Sequence, residues 1–227
     1  MTPGLAAEAF GKTLVGAAGV TFGVLLFQRW RQTRARVLLH WAIMFLSSAG
    51  YVVGVLIILG VGNPMVLTRL HHLTAIAAVL PGAVAATILM LPLPAEQGDR
   101  LSLYLPLTLF AAVSVYLLFG PLQPTVLGDK YVFTGPLASA HVGLMVVAGL
   151  FSTATLFYLA WRLKNGAYLE LALAFLLITM GGRLIGGDLI NLAMAELVVV
   201  TGYVVFYVVF MRLMRAEQES QAARLAS

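Results

Sequence analysis

The sequence predicts an all-α membrane protein: one bundle of seven transmembrane helices, N-terminus outside and C-terminus cytoplasmic. Three observations predict it. Hydrophobic residues make up 61% of the 227 and charged residues 10%, against about 45–50% and about 25% in ordinary soluble domains. A mean hydropathy of +0.96 exceeds what a chain of this size can hide in a soluble core, because much of its surface must be polar to stay in water. The apolar residues also fall into seven stretches near the length of about 20 residues that a spanning helix needs at about 1.5 Å per residue.

Those stretches are, in order, Leu5–Gln28, Val37–Gly60, Val66–Leu91, Leu101–Phe119, Pro136–Trp161, Tyr168–Ile185 and Leu192–Met211. Breakers mark the cuts: Gly62-Asn63-Pro64, Pro92-Leu93-Pro94, Gly120-Pro121 and Asn165-Gly166. The last two spans are divided at Gly186-Gly187-Asp188, since fusing them would require a single helix far longer than a bilayer. The stretch from Gly120 to Gly135 is the longest connection and reads as a turn-rich cap or a lid. Residues 1–215 form the bundle, and 216–227 form a short cytoplasmic tail, helical or disordered, through which a protein partner is a candidate.

Lys and Arg in the connections set the orientation. One side collects Arg29, Arg31, Arg34, Arg36, Arg100, Arg162, Lys164, Arg212, Arg215 and Arg224; the other has Lys12, Arg69, Lys130 and Arg183. The richer side is cytoplasmic, in an inner or plasma membrane. The net charge of +5 is therefore a topology signal, and a nucleic-acid partner is not expected. Trp30, Trp41, Trp161 and Tyr168 read as anchors at the cytoplasmic interface.

Helices in lipid associate through close backbone approach at small residues. Gly16, Gly19 and Gly23 form such a stripe on the first span, Ser47, Gly50 and Gly54 on the second, and Ala75, Ala78, Gly82 and Ala85 on the third. These stripes say which faces point inward.

Chemistry is sought among ionisable groups inside the membrane, where charge is costly and faces the bundle. There is no cysteine, which excludes disulfides, thiolate metal sites and cysteine nucleophiles. Helical phase directs His71 along the Ala75/Ala78/Gly82 stripe and sends His72 to a lipid-like face. His141 shares a face with Ala148, Ser152 and Thr155, and Glu196 is in phase with Tyr203 and Tyr207. His71, His141, Arg183 and Glu196, with Asp188 at the rim, form the candidate constellation near the outer leaflet. Arg183 is expected to pair with Glu196.

Three readings stand. The constellation is a site, with Tyr203, that senses or transfers a small ligand or protons. Alternatively His71 and His141, with Glu196, hold a haem or a transition metal in an electron-transfer subunit, because imidazole suits iron, copper and zinc. Or the groups are structural and function resides in a partner. A retinal Schiff base is not expected, since the last span has no lysine. No nucleophile or general-base motif is legible, and the reading leans away from an enzyme.

Overall fold

The computed structural model describes residues 3–61, 80–88, 123–127, 130–134, 136–184 and 189–226, with isolated positions between 69 and 119. Its elements are α1 (Pro3–Thr33), α2 (Arg36–Val61), a helical segment at 80–88, strands β1 (Gln123–Leu127) and β2 (Lys130–Thr134), α3 (Pro136–Leu163), α4 (Gly166–Leu184) and α5 (Leu189–Ala226). Among the described residues, four helical stretches are long and apolar enough to cross a membrane: Ala9–Thr33, Arg36–Ile57, Val146–Leu163 and Met194–Ala216. They match the expected first, second, fifth and seventh spans, and Gly166–Thr179 is a shorter apolar helix within the sixth. Four such helices are consistent with a multi-pass membrane protein in contact with lipid. The third and fourth expected spans fall mostly outside the described residues.

Two tight junctions show how local chemistry turns the chain. Between α1 and α2, Arg34 takes a left-handed backbone (φ 57) and its N–H donates to the Trp30 carbonyl at 2.7 Å. A non-glycine residue there costs about 1–2 kcal/mol. The guanidinium settles over the Trp30 ring, 5.2 Å from its centroid, which offsets part of that cost. Between α3 and α4, Lys164 is left-handed (φ 50), and Asn165 Oδ1 accepts from the Ala167 N–H at 3.0 Å, capping α4. The connection between 120 and 135 holds a β1–β2 hairpin, in register from Gln123↔Thr134 to Leu127↔Lys130.

Glycines set the helix pairing. A Cβ on Gly19 would sit 2.9 Å from the Phe45 carbonyl, and Gly16 and Gly23 face Val52 and Leu46, so α1 and α2 pack antiparallel at backbone distance. A Cβ on Gly202 of α5 would sit 2.9 Å from the Ala174 carbonyl of α4, and Gly82 closes the 80–88 segment onto Met44 and Phe175. The small-residue stripes expected to face inward do so at Gly16, Gly19, Gly23, Ala78, Gly82 and Ala85; Ala75 lies outside the described residues.

The first and last helices run parallel. Lys12 meets Glu196 and, further along both, Phe22 stacks on Tyr207 at 4.7 Å. The start of α1 and the C-terminal end of α5 therefore lie at opposite faces of the bundle. Antiparallel pairing of the neighbours gathers Arg29, Arg31, Arg34, Arg36, Arg162, Lys164, Arg212 and Arg215 at the face where α5 leaves.

The core runs along α2, α4 and α5 and is aromatic. Trp41, Phe45 and Phe206 are at most 1% exposed, with Phe175 and Phe210 close behind. Trp41 packs edge-on against Phe206 and Phe210 at 4.7 and 4.4 Å, and Phe45 against Tyr203 at 4.7 Å. This corrects the reading of Trp41 as an interfacial anchor. One turn into α2, its ring is in phase with Phe45, Ala49 and Val52, the face that α1 and α5 cover. Trp161, 77% exposed, stays outside the core.

Candidate functional site

Glu196 stands on α5 near its start, inside the apolar stretch, and is buried. The α1 backbone approaches it so closely at Gly11 that a Cβ there would lie 2.7 Å from Glu196 Cβ and Cγ. Only glycine leaves room for the glutamate stem at that level. One residue on, Lys12 reaches across, its Nζ 2.5 Å from Glu196 Oε1. The two side chains are 19% and 7% exposed, so the pair is shielded from water on most sides. The ammonium also lies over the Tyr51 ring of α2, 5.8 Å from its centroid, within cation–π range.

Two turns further along α5, Tyr203 is buried, beside Ser48 of α2 and within electrostatic reach of Lys12 and Glu196. Ser48 donates its own hydroxyl proton to the Met44 carbonyl at 2.9 Å. Lys12, Tyr51, Glu196, Tyr203 and Ser48 thus form a polar string from three helices, starting near the head of α1 and ending against Phe45. Thr74, on the next segment, touches α2 at Gly50, where a Cβ would lie 3.6 Å from Thr74 Cγ2.

The sequence-derived site is recovered in part. Glu196 and Tyr203 share an inward face, as their spacing requires, and Tyr207 is half-buried on the same stripe. The cation observed against Glu196 is Lys12, where the sequence reading favoured Arg183. Arg183 and His141 are placed along α4 and α3, with side chains outside the described residues. His71, His72 and Asp188 lie outside the described residues altogether, so the shared His71–His141 ligand pair does too. Among the described residues no three or more His, Asp or Glu side chains gather as a metal-holding group.

Sequence reasoning missed Lys12, Tyr51 and Ser48. One signal pointed to Lys12: it falls inside the first apolar stretch, where a charge requires a partner. Counting it as a topology marker concealed that requirement. His40, near the basic face, is buried with Nδ1 unpartnered among the described residues, and it belongs to neither cluster. No protein-family model matches this chain, and no curated protein matches it.

Proposed function

We propose that the chain is a seven-helix membrane protein, N-terminus outside and C-terminus cytoplasmic, whose outer polar cluster senses or transfers protons or a small polar ligand. Parallel α1 and α5 support an odd number of passes, and the eight basic residues at the far face support a cytoplasmic C-terminus. The continuation of α5 beyond Ala216 to Ala226 supports a helical connector to a cytoplasmic partner.

One observation carries the functional reading: an acid–base pair, Lys12–Glu196, is held inside apolar helices with Tyr51 and Tyr203 around it. Desolvation of two charges roughly cancels their attraction, so such a pair contributes little net stability and responds to small changes in its charges. A proton delivered to Glu196, or a ligand competing for Lys12, releases one helix from the other.

Infrared difference spectra of the lipid-reconstituted protein, recorded on acidification, test this. The protonated-carboxyl C=O region of the wild type is expected to contain a Glu196 component that is lost in Glu196→Gln, the other Asp and Glu residues contributing alike in both proteins. Identical spectra from the two proteins would overturn the reading. A tag ahead of Met1 is expected to be accessible from outside and a reporter after Ser227 from the cytoplasm.

A further inference from the structure

Four arginines fall within eight residues where α1 turns into α2: Arg29, Arg31, Arg34 and Arg36. No aspartate or glutamate occurs between Glu8 and Glu96, so α1 beyond its first turns and all of α2 supply no acid to offset them. Of the acidic residues on the described helices that reach this face, Glu170 is held by Arg212, and Glu217 and Glu219 lie beyond the apolar stretch of α5. The turn therefore concentrates positive charge where two apolar helices end.

Charge of this kind orients a chain in the bilayer whether or not the arginines are held still. Two of them are held. The Thr33 hydroxyl donates to the Arg29 carbonyl at 3.1 Å and accepts from the Ala35 N–H at 3.3 Å, which fixes the backbone of the turn together with the Arg34 N–H bond to Trp30. On that frame Arg29 Nη1 donates to Gln32 Oε1 at 3.2 Å. The Arg34 guanidinium lies over Trp30, a half-buried ring packed against the bundle core. Stacking engages the face of a guanidinium, and its N–H edge is the part that takes phosphate oxygens two at a time. Holding such a long side chain in advance lowers the ordering cost of binding. Arg34 also occupies a left-handed position (φ 57) where glycine would close α1 with less strain, so the guanidinium is kept against the backbone preference.

We infer that the α1–α2 turn is a docking surface for the phosphate headgroup of an anionic phospholipid, in the leaflet where the turn emerges. Arg34 and Arg29 are its fixed donors, and Arg31 and Arg36 add charge. A ring-stacked arginine at the ends of apolar helices lies at the depth of lipid phosphates, which favours a lipid over a free anion. The surface is at the opposite face of the bundle from Lys12–Glu196 and stands without that reading. The α3–α4 turn is an internal control. It too carries two cations, Arg162 and a left-handed Lys164 (φ 50), but Asn165 caps the helix that follows and Trp161 is exposed.

Purified protein in neutral detergent, where insertion topology plays no part, is titrated with phosphatidylglycerol, phosphatidylcholine or inorganic phosphate at constant ionic strength. The thermal midpoint is followed, since a ligand of the folded state raises it. Phosphatidylglycerol is expected to raise it saturably, and the other two are expected not to. Arg34→Gly relieves the left-handed strain and is expected to fold at least as well as the wild type. It is expected to raise the half-saturating phosphatidylglycerol concentration about fivefold or more, the worth of one basic side chain at an anionic surface. Arg34→Lys keeps the charge without the planar fork and is expected to recover only part of that loss. Lys164→Gly is expected to leave the titration nearly unchanged. Equal losses at Arg34 and Lys164, or full recovery by Arg34→Lys, reduce the effect to bulk charge and overturn the docking surface. A wild type that phosphatidylglycerol does not stabilise overturns it as well, and stabilisation by inorganic phosphate assigns the turn to a free anion and overturns the lipid.

Discussion

Lys12–Glu196 and Arg212–Glu170 are cation–carboxylate contacts between neighbouring helices, near the two ends of the apolar stretch of α5. Lys12–Glu196 ties α5 to α1 near its start, with side chains 19% and 7% exposed. Arg212–Glu170 ties α5 to α4 near the basic face, with side chains 58% and 47% exposed. The chemistry is nearly the same and the surroundings are not. Water and salt screen the outer pair and rehydrate either member when the other is lost. The inner pair has no such refuge, because Gly11 presses α1 onto the glutamate stem and apolar helices enclose the rest. Position, rather than pairing, sets the two contacts apart.

The largest effect expected from breaking this contrast is at the inner pair. Glu196→Gln or Lys12→Met leaves one charge buried, at a cost of about 3–5 kcal/mol. The double variant Lys12→Met with Glu196→Gln is expected to recover much of that loss. Denaturation of the purified protein in mixed micelles measures all three, and losses that simply add would show that the two groups do not act as a pair.

Next come the glycines that set how close the helices lie. Gly202→Ala drives a methyl against the Ala174 carbonyl, and backbone cannot move aside as a side chain can, so about 1–3 kcal/mol is expected from overpacking. Gly143, with nothing within 4 Å of its Cβ position, is the control. Gly143→Ala is expected to be neutral or to gain up to about 1 kcal/mol from helix propensity. Thermal midpoints of the two variants should move in opposite directions or differ plainly in size.

The smallest effect is at the outer pair. Arg212→Ala is expected to change stability by no more than about 0.5 kcal/mol, and added salt should erase the difference. A loss as large as that of Glu196→Gln would show that exposure does not separate the two contacts.

Several features were legible in the sequence because they depend on local periodicity. Apolar length gave the first, second and fifth helices to within about five residues, whereas α5 runs on to Ala226, well past the expected end at Met211, and Asn165-Gly166 marked a turn that the backbone realises with a cap beside a left-handed Lys164. The glycine stripe on α1 and the Glu196–Tyr203–Tyr207 stripe on α5 pointed inward because residues at i+3, i+4 and i+7 share one helix face. The side of Trp41 was misread, since aromatic rings are common both at interfaces and in cores, and only the neighbours α1 and α5 decide between them.

What the sequence by itself determined, then, is which residues are helical, which faces are small or polar, and that a charge inside a span needs a partner. The tertiary structure alone decided who that partner is. Lys12 and Glu196 lie near opposite ends of the chain, and they meet because the first and last helices dock parallel, with Gly11 setting their separation. No local period encodes that docking. It follows from how the described helices share one core, and so does the aromatic packing around Phe45 and Phe206.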